Sequence, residues 1–292
     1  MGSCRVNAGV ESKQLLESLE KMIPVFYAVT TFIYGIGCWF SFHYYKTLES
    51  FNDQKAFQWL LIGFLSQALA LACQWIVDGF APLDRIDGIL MILSFSLAAT
   101  LIFGRVKASV PILVSLFLPF IFLLSFLATG SCVKSVPFMD ASLMTRGMVA
   151  HILLTFFGFS NFTVGFGVGV AFWVQEGQLK QHQIKSWSYR LPALEILDGL
   201  TVFHVGFGFL FWAAGLLLGT VQAYQVWNRL PLLDPKIMGS FLVLVIYALF
   251  FVFRWALGLR GKKTMTLVMV GYFLALFTFL GVRLFLTTQH VF

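Results

Sequence analysis

Long apolar runs joined by short polar connections dominate the chain. A helix needs about 20 apolar residues to cross ~30 Å of hydrocarbon. Eight stretches meet or approach that length: 23–45, 56–78, 86–104, 108–129, 147–175, 197–225, 237–257 and 264–287. Ahead of the first, ESKQLLESLEKM at 11–22 has a helical apolar period and predicts a short surface helix. The longest connections, 129–146 and 176–196, are too short for an inserted soluble domain. The expected fold class is all-α, a polytopic membrane bundle of about eight transmembrane helices. Its expected organisation is an N-terminal tail over 1–22 and a single transmembrane domain over 23–292. No cleavable signal peptide is expected, because residues 1–22 are polar and alternate in charge.

Composition supports the same class. Hydrophobic residues make up 59% of the 292 and charged ones 11%, where a soluble domain carries ~25% charged residues. The mean hydropathy is +0.86, and the polar side chains are too few to cover a water-exposed surface of this size. The net charge of +7 sits on cations scattered singly between spans, as in the loops of an inner-membrane protein. The partner expected is therefore the lipid bilayer and not nucleic acid. Cys4, Cys38, Cys73 and Cys132 form no CxxC and no CxxCH, which argues against structural zinc, a dithiol redox pair and covalent c-type haem. The absence of a visible internal repeat weighs against an inverted-repeat transporter.

Cation placement predicts orientation. Connections after odd-numbered spans hold eleven Lys and Arg against five after even-numbered ones, or eleven against eight with the N-terminal tail. That bias places both termini outside the inner or cytoplasmic membrane and RWALGLRGKK inside. Cys4 and Cys132 then share the outer side, as two free thiols or as a bridge.

Five histidines bear on chemistry. His43, in FHYYK, fits an interfacial aromatic belt, and His182 lies in the polar LKQHQIK connection. His204 is inside the sixth span, where an imidazole either functions or bonds a neighbouring helix. His151 opens the fifth span and His290 closes the eighth, so the predicted topology brings both to the outer face. Two neutral imidazoles presented from different helices suit axial ligation of haem iron. Asp234 and Pro235 read as the N-cap and first position of the seventh span. Lys236 and Arg229 set cations on the same outer loop, where a haem propionate could be met. Glu195 and Asp198, after Pro192, read as the carboxylates of a helix start. Gly165/Gly169 and Gly215/Gly219 have the small-xxx-small spacing of close helix packing.

The second half of the chain, about 147–292, resembles the integral-membrane cytochrome c assembly family (the CcsA/ResC/CcmC group with its HemX-like branch). The resemblance rests on AHILLTFFGFSNFTVGFGVGVAFWVQE, then LPALEILDGLTVFHVGFGFLFWAAGLLLGTVQAYQVW, then DPK, an apolar span ending in arginine, RGKK, and the closing GVRLFLTTQHVF. It implies that His151 and His290 match the family's two external haem-ligand histidines and that the cofactor is a non-covalent, b-type haem. It also implies departures. The family's haem loop reads WGxxWxWDPKE, whereas this chain has WNRLPLLDPKI. Trp227, Asp234, Pro235 and Lys236 match, but Pro231 and Leu233 replace rings that stack on haem. Gln67 and Val252 stand where the family's haem exporters carry intramembrane histidines.

The function expected is a haem-handling protein assisting cytochrome c maturation, with haem at the outer face between His151 and His290. Trp227 would supply the remaining stacking, and Lys236 or Arg229 would pair with propionates. The alternative is a HemX-like scaffold or regulator of a haem-pathway or assembly partner, without stable haem. No nucleophile or paired acid and base suggests independent catalysis.

Overall fold

A computed structural model describes residues 3–47, 50–78, 83, 85–107, 110–132, 145–181, 191–228 and 234–281, with side chains at all but 3–13, 15, 45, 50, 78, 111, 112, 226, 227 and 280. Eight helices account for nearly all of this: α1 Ser3–Thr47, α2 Ser50–Asp78, α3 Ile86–Lys107, α4 Pro111–Cys132, α5 Arg146–Lys180, α6 Leu194–Trp227, α7 Pro235–Trp255 and α8 Lys262–Leu276. A π-helical turn, Phe277–Gly281, follows α8. All eight carry a stretch long and apolar enough to span a membrane, so the protein is a multi-pass membrane protein. Residues 11–22 are helical and run without interruption through Pro24 into the first span.

The helices form two compact units. The first comprises Met1–Ala98 and Leu118–Thr145, and the second Ala99–Phe117 and Arg146–Phe292. In the first unit, α1 and α2 pair through neutral polar side chains at helical spacing. Tyr34 Oη donates to Gln67 Oε1 at 2.7 Å, while Gln67 Nε2 donates to the Met91 carbonyl at 2.9 Å and to Ser94. Tyr27 donates to Gln74, Thr30 bonds Ser66 at 2.8 Å, and Thr31 bonds Ser125 at 2.7 Å and Thr129 at 2.9 Å. Hydrocarbon offers no water to these groups, so each must find a partner on another helix or its own backbone. Gln67 thereby ties α2 to α1 and α3, and it lies fully buried.

The second unit is built on an antiparallel seam between α5 and α6. Along α6 the contacting residues are 205, 208, 212, 215, 219 and 222, steps of three and four in alternation. They meet Gly165, Phe162 with Gly158, Gly158, Thr155, His151 and Gly147 in descending order along α5. This alternating spacing keeps one stripe of α6 facing its partner. Lipid supplies no hydrophobic force between helices, so small residues that admit close backbone approach do the holding. A Cβ on Gly158 would lie 2.9 Å from the Trp212 backbone nitrogen, and only glycine fits. Gly165, Gly215 and Gly219 all serve this seam, whereas Gly169 faces Met265 and Val268 of α8.

Aromatic side chains fasten α7 and α8 to the seam. Tyr247 stacks on Phe162 at 4.0 Å and lies over Gly271. Trp212 Nε1 donates to the Ser240 carbonyl at 3.2 Å. Phe159 stacks on Tyr272 and on Phe279.

Candidate functional site

His151 lies in the second turn of α5, at one end of the seam and half-buried. Its Nδ1 is 2.6 Å from the Gly215 carbonyl of α6. A carbonyl can only accept, so Nδ1 carries the proton and the lone pair of the neutral ring is on Nε2. That is the tautomer of a metal-ligating histidine, whose other nitrogen donates to a backbone carbonyl or carboxylate. The Gly215 carbonyl has a second lone pair for its own helix.

Two glycines and a threonine make room for this contact. The imidazole lies where a Gly219 side chain would be, with Cε1 2.5 Å and Nδ1 2.7 Å from an added Cβ. Thr155, one turn along α5, closes on Gly215 and donates through Oγ1 to the His151 carbonyl at 2.8 Å. On the side of the ring toward the start of α5, Gly147 faces the buried amide of Gln222, which in turn donates to Gln225 at 3.1 Å. Sequence reasoning recognised these glycines as packing residues but not as the setting of His151. The visible signal is the shared heptad step that carries α6 from Gly215 to Gly219.

Of the other expected site residues, Asp234 and Lys236 are described with their side chains. Asp234 caps α7, accepting from the Lys236 backbone N–H at 2.9 Å with Pro235 in the first turn. The Asp234–Pro235 pair thus forms the helix start its sequence suggests. Lys236 follows on the first turn of α7, partly exposed. α6 ends at Trp227, and Asn228 behind it adopts the left-handed conformation, φ 51°, with its N–H on the Tyr224 carbonyl. The side chain of Trp227, and all of Arg229, Pro231 and Leu233, lie outside the described residues. So does His290. Gly239 of α7 meets Thr278, and Phe156 of α5 packs edge-on against Phe279 at 5.5 Å. The π turn therefore lies at the His151 end of the unit.

His204 occupies a different level. It is fully buried, fifteen residues from Gly219 along α6, or ~22 Å of helix. Its Nδ1 bonds Asn161 Oδ1 of α5 at 3.2 Å, and its Nε2 faces Gly104 and has no hydrogen-bond partner among the described residues. Asn161 in turn donates to the Phe157 carbonyl at 2.9 Å. Of the two roles the sixth-span imidazole could have, the bond to a neighbouring helix is present. His43 sits against Trp39 with ring centroids 4.2 Å apart, in an aromatic-rich helix end. His182 lies outside the described residues, as does the side chain of Cys4. Among the described residues, no disulfide joins Cys38, Cys73 and Cys132 to one another.

The opposite end of the second unit carries an ion pair that the sequence pattern did not reveal. Arg254 of α7 makes a two-pronged contact with Asp198 of α6, Nη1 to Oδ1 at 2.8 Å and Nη2 to Oδ2. Both side chains are mostly buried. Glu195 lies in the first turn of α6, as expected of a helix start, but Asp198 clasps α7.

The family model described as "Cytochrome C assembly protein" matches residues 85–290. The chain is similar to the cytochrome c biogenesis protein CcsA of Guillardia theta, 22% identical over 76% of this chain and 80% of that one. It is similar to the protein HemX of Brevibacillus brevis, 24% identical over 87% of this chain and 94% of the relative. Among solved structures it is similar to the cytochrome c heme lyase CcmF, with a TM-score of 0.63 at 16% identity. That match covers 94% of this chain and 48% of the other, so this chain spans about half its length and shares its fold.

Proposed function

Since this chain belongs to the cytochrome c assembly family, we propose that it is a haem-handling protein of cytochrome c maturation, with His151 and His290 as axial ligands at the outer membrane face. The observation that carries the proposal is the 2.6 Å contact between His151 Nδ1 and the Gly215 carbonyl. It fixes the tautomer and ring direction before any ligand arrives, as donor groups of a metal ligand do. Haem would supply an iron that accepts two axial nitrogens and propionates that accept cationic hydrogen bonds. Lys236 and Arg229 are the cations for the latter, and Trp227 the ring that stacks. With both imidazoles on it the iron would have no open position, which would suit a carrier rather than oxygen chemistry.

Pro231 and Leu233 favour a second reading, a membrane scaffold or regulator of a haem-pathway or assembly partner without stable haem. Each missing aromatic face removes about 0.5–1.5 kcal/mol of contact beyond simple burial. An absorption spectrum of detergent-purified protein from haem-replete cells decides between them. A carrier shows a Soret band with low-spin α and β bands. His151→Ala and His290→Ala each abolish the low-spin signature, and added imidazole restores it. A colourless wild-type preparation with full occupancy of a partner favours the scaffold.

A further inference from the structure

The α7–α8 turn lies at the end of the second unit away from His151, and its backbone is sharply defined. Leu257 and Leu259 N–H groups return to the Val252 and Phe253 carbonyls at 3.3 and 2.9 Å. Gly258 and Gly261 take φ of 63° and 77°, a conformation that side chains resist. The turn presents Arg260, Lys262 and Lys263, all exposed, within four residues. Trp255 and Leu257 beside them are 72% and 60% exposed.

Counter-charge for these cations is scarce in the chain itself. From Trp255 to Phe292 the sequence contains no Asp or Glu, and none lies between Gly177 and Leu194. Glu176, close to Gly261, is engaged with Lys180 through Oε1 alone at 2.5 Å, its Oε2 having no hydrogen-bond partner among the described residues, and Asp198 is engaged with Arg254. Glu195, exposed at the start of α6, is the remaining carboxylate at this end of the unit. Lys262 is held 4.2 Å above the Trp173 ring of α5, which steadies its charge without neutralising it.

We propose that the α7–α8 turn is a headgroup site for an anionic phospholipid. A single turn combines apolar side chains with three cations at the end of a membrane span. That combination matches the acyl–headgroup boundary, where the phosphate lies directly above hydrocarbon. An acidic protein segment would satisfy the cations but would leave Trp255 and Leu257 without apolar cover.

The test is competition between phosphatidylglycerol and phosphatidylcholine of identical acyl chains, read by native mass spectrometry of the purified full chain. Each basic residue near an anionic surface contributes about fivefold in binding. Wild type should therefore retain phosphatidylglycerol in clear preference. Arg260→Gln with Lys263→Gln, which leaves Lys262 on Trp173, should reduce that preference about 25-fold. Adding Lys262→Gln should abolish it. Arg146→Gln, at the far end of α5, should leave it intact, with unchanged melting in every variant. Equal retention of the two lipids by wild type, or an undiminished preference in the double variant, overturns the proposal. Displacement of the lipid by 10 mM inorganic phosphate, or by a polyglutamate peptide, overturns it in favour of a free-anion or protein site.

Discussion

Gly219→Ala tests the setting of His151 with a single methyl group. The added Cβ would lie 2.5 Å from the imidazole Cε1, against an ordinary contact distance of 3.4 Å and beyond. The ring must withdraw by about 0.9 Å, and the 2.6 Å bond to Gly215 cannot survive that displacement in good geometry. Overpacking costs roughly 1–3 kcal/mol, the lost hydrogen bond roughly 0.5–1.5, and improved helix propensity returns roughly 0.5–1. Gly199→Ala, on the same helix with nothing within 4 Å of its added Cβ, receives the helical gain alone. The two variants should thus differ by roughly 1.5–4.5 kcal/mol in unfolding free energy, read by denaturant titration in detergent. Repeating Gly219→Ala in a His151→Ala background isolates the contact, since the penalty should then vanish. Equal destabilisation in both backgrounds would refute the idea that Gly219 holds space for the imidazole.

Asp198→Asn should destabilise the protein by about 3 kcal/mol, because it strands a mostly buried guanidinium, while the double variant Asp198→Asn/Arg254→Gln should recover part of the loss; strictly additive effects in a double-mutant cycle would argue against the clasp. With native thiols removed, Arg146→Cys should react with an impermeant maleimide in intact cells and Lys263→Cys only after permeabilisation, and the reverse result would invert the proposed orientation. His204→Ala should lower stability by ~0.6–2 kcal/mol through the lost Asn161 contact and leave any haem spectrum unchanged. Loss of the low-spin signal in that variant would move the cofactor site from the His151 level to mid-membrane.

The periodicity and length of apolar runs determined the all-α membrane class and the eight spans, because hydrocarbon permits a spanning segment few alternatives to a helix. Local chemistry likewise settled the start of α7, where Asp234 caps and Pro235 forgoes a donor that the first turn does not need. The small-residue spacing marked α5 and α6 as closely packed, but spacing names a stripe and not its partner. Gly169 shares the pattern of Gly165 and yet faces α8. Nor does periodicity separate a surface helix from the start of a span, and residues 11–22 run on through Pro24 as one helix, α1. Tertiary structure alone decided which helices meet and in what register. That register puts the His151 ring over Gly219 and its proton on Nδ1, ties Asp198 to Arg254 across 56 residues, and joins His204 to Asn161. The physical reason is that such contacts depend on the relative position of two helices, which a linear pattern of apolar and polar residues leaves free.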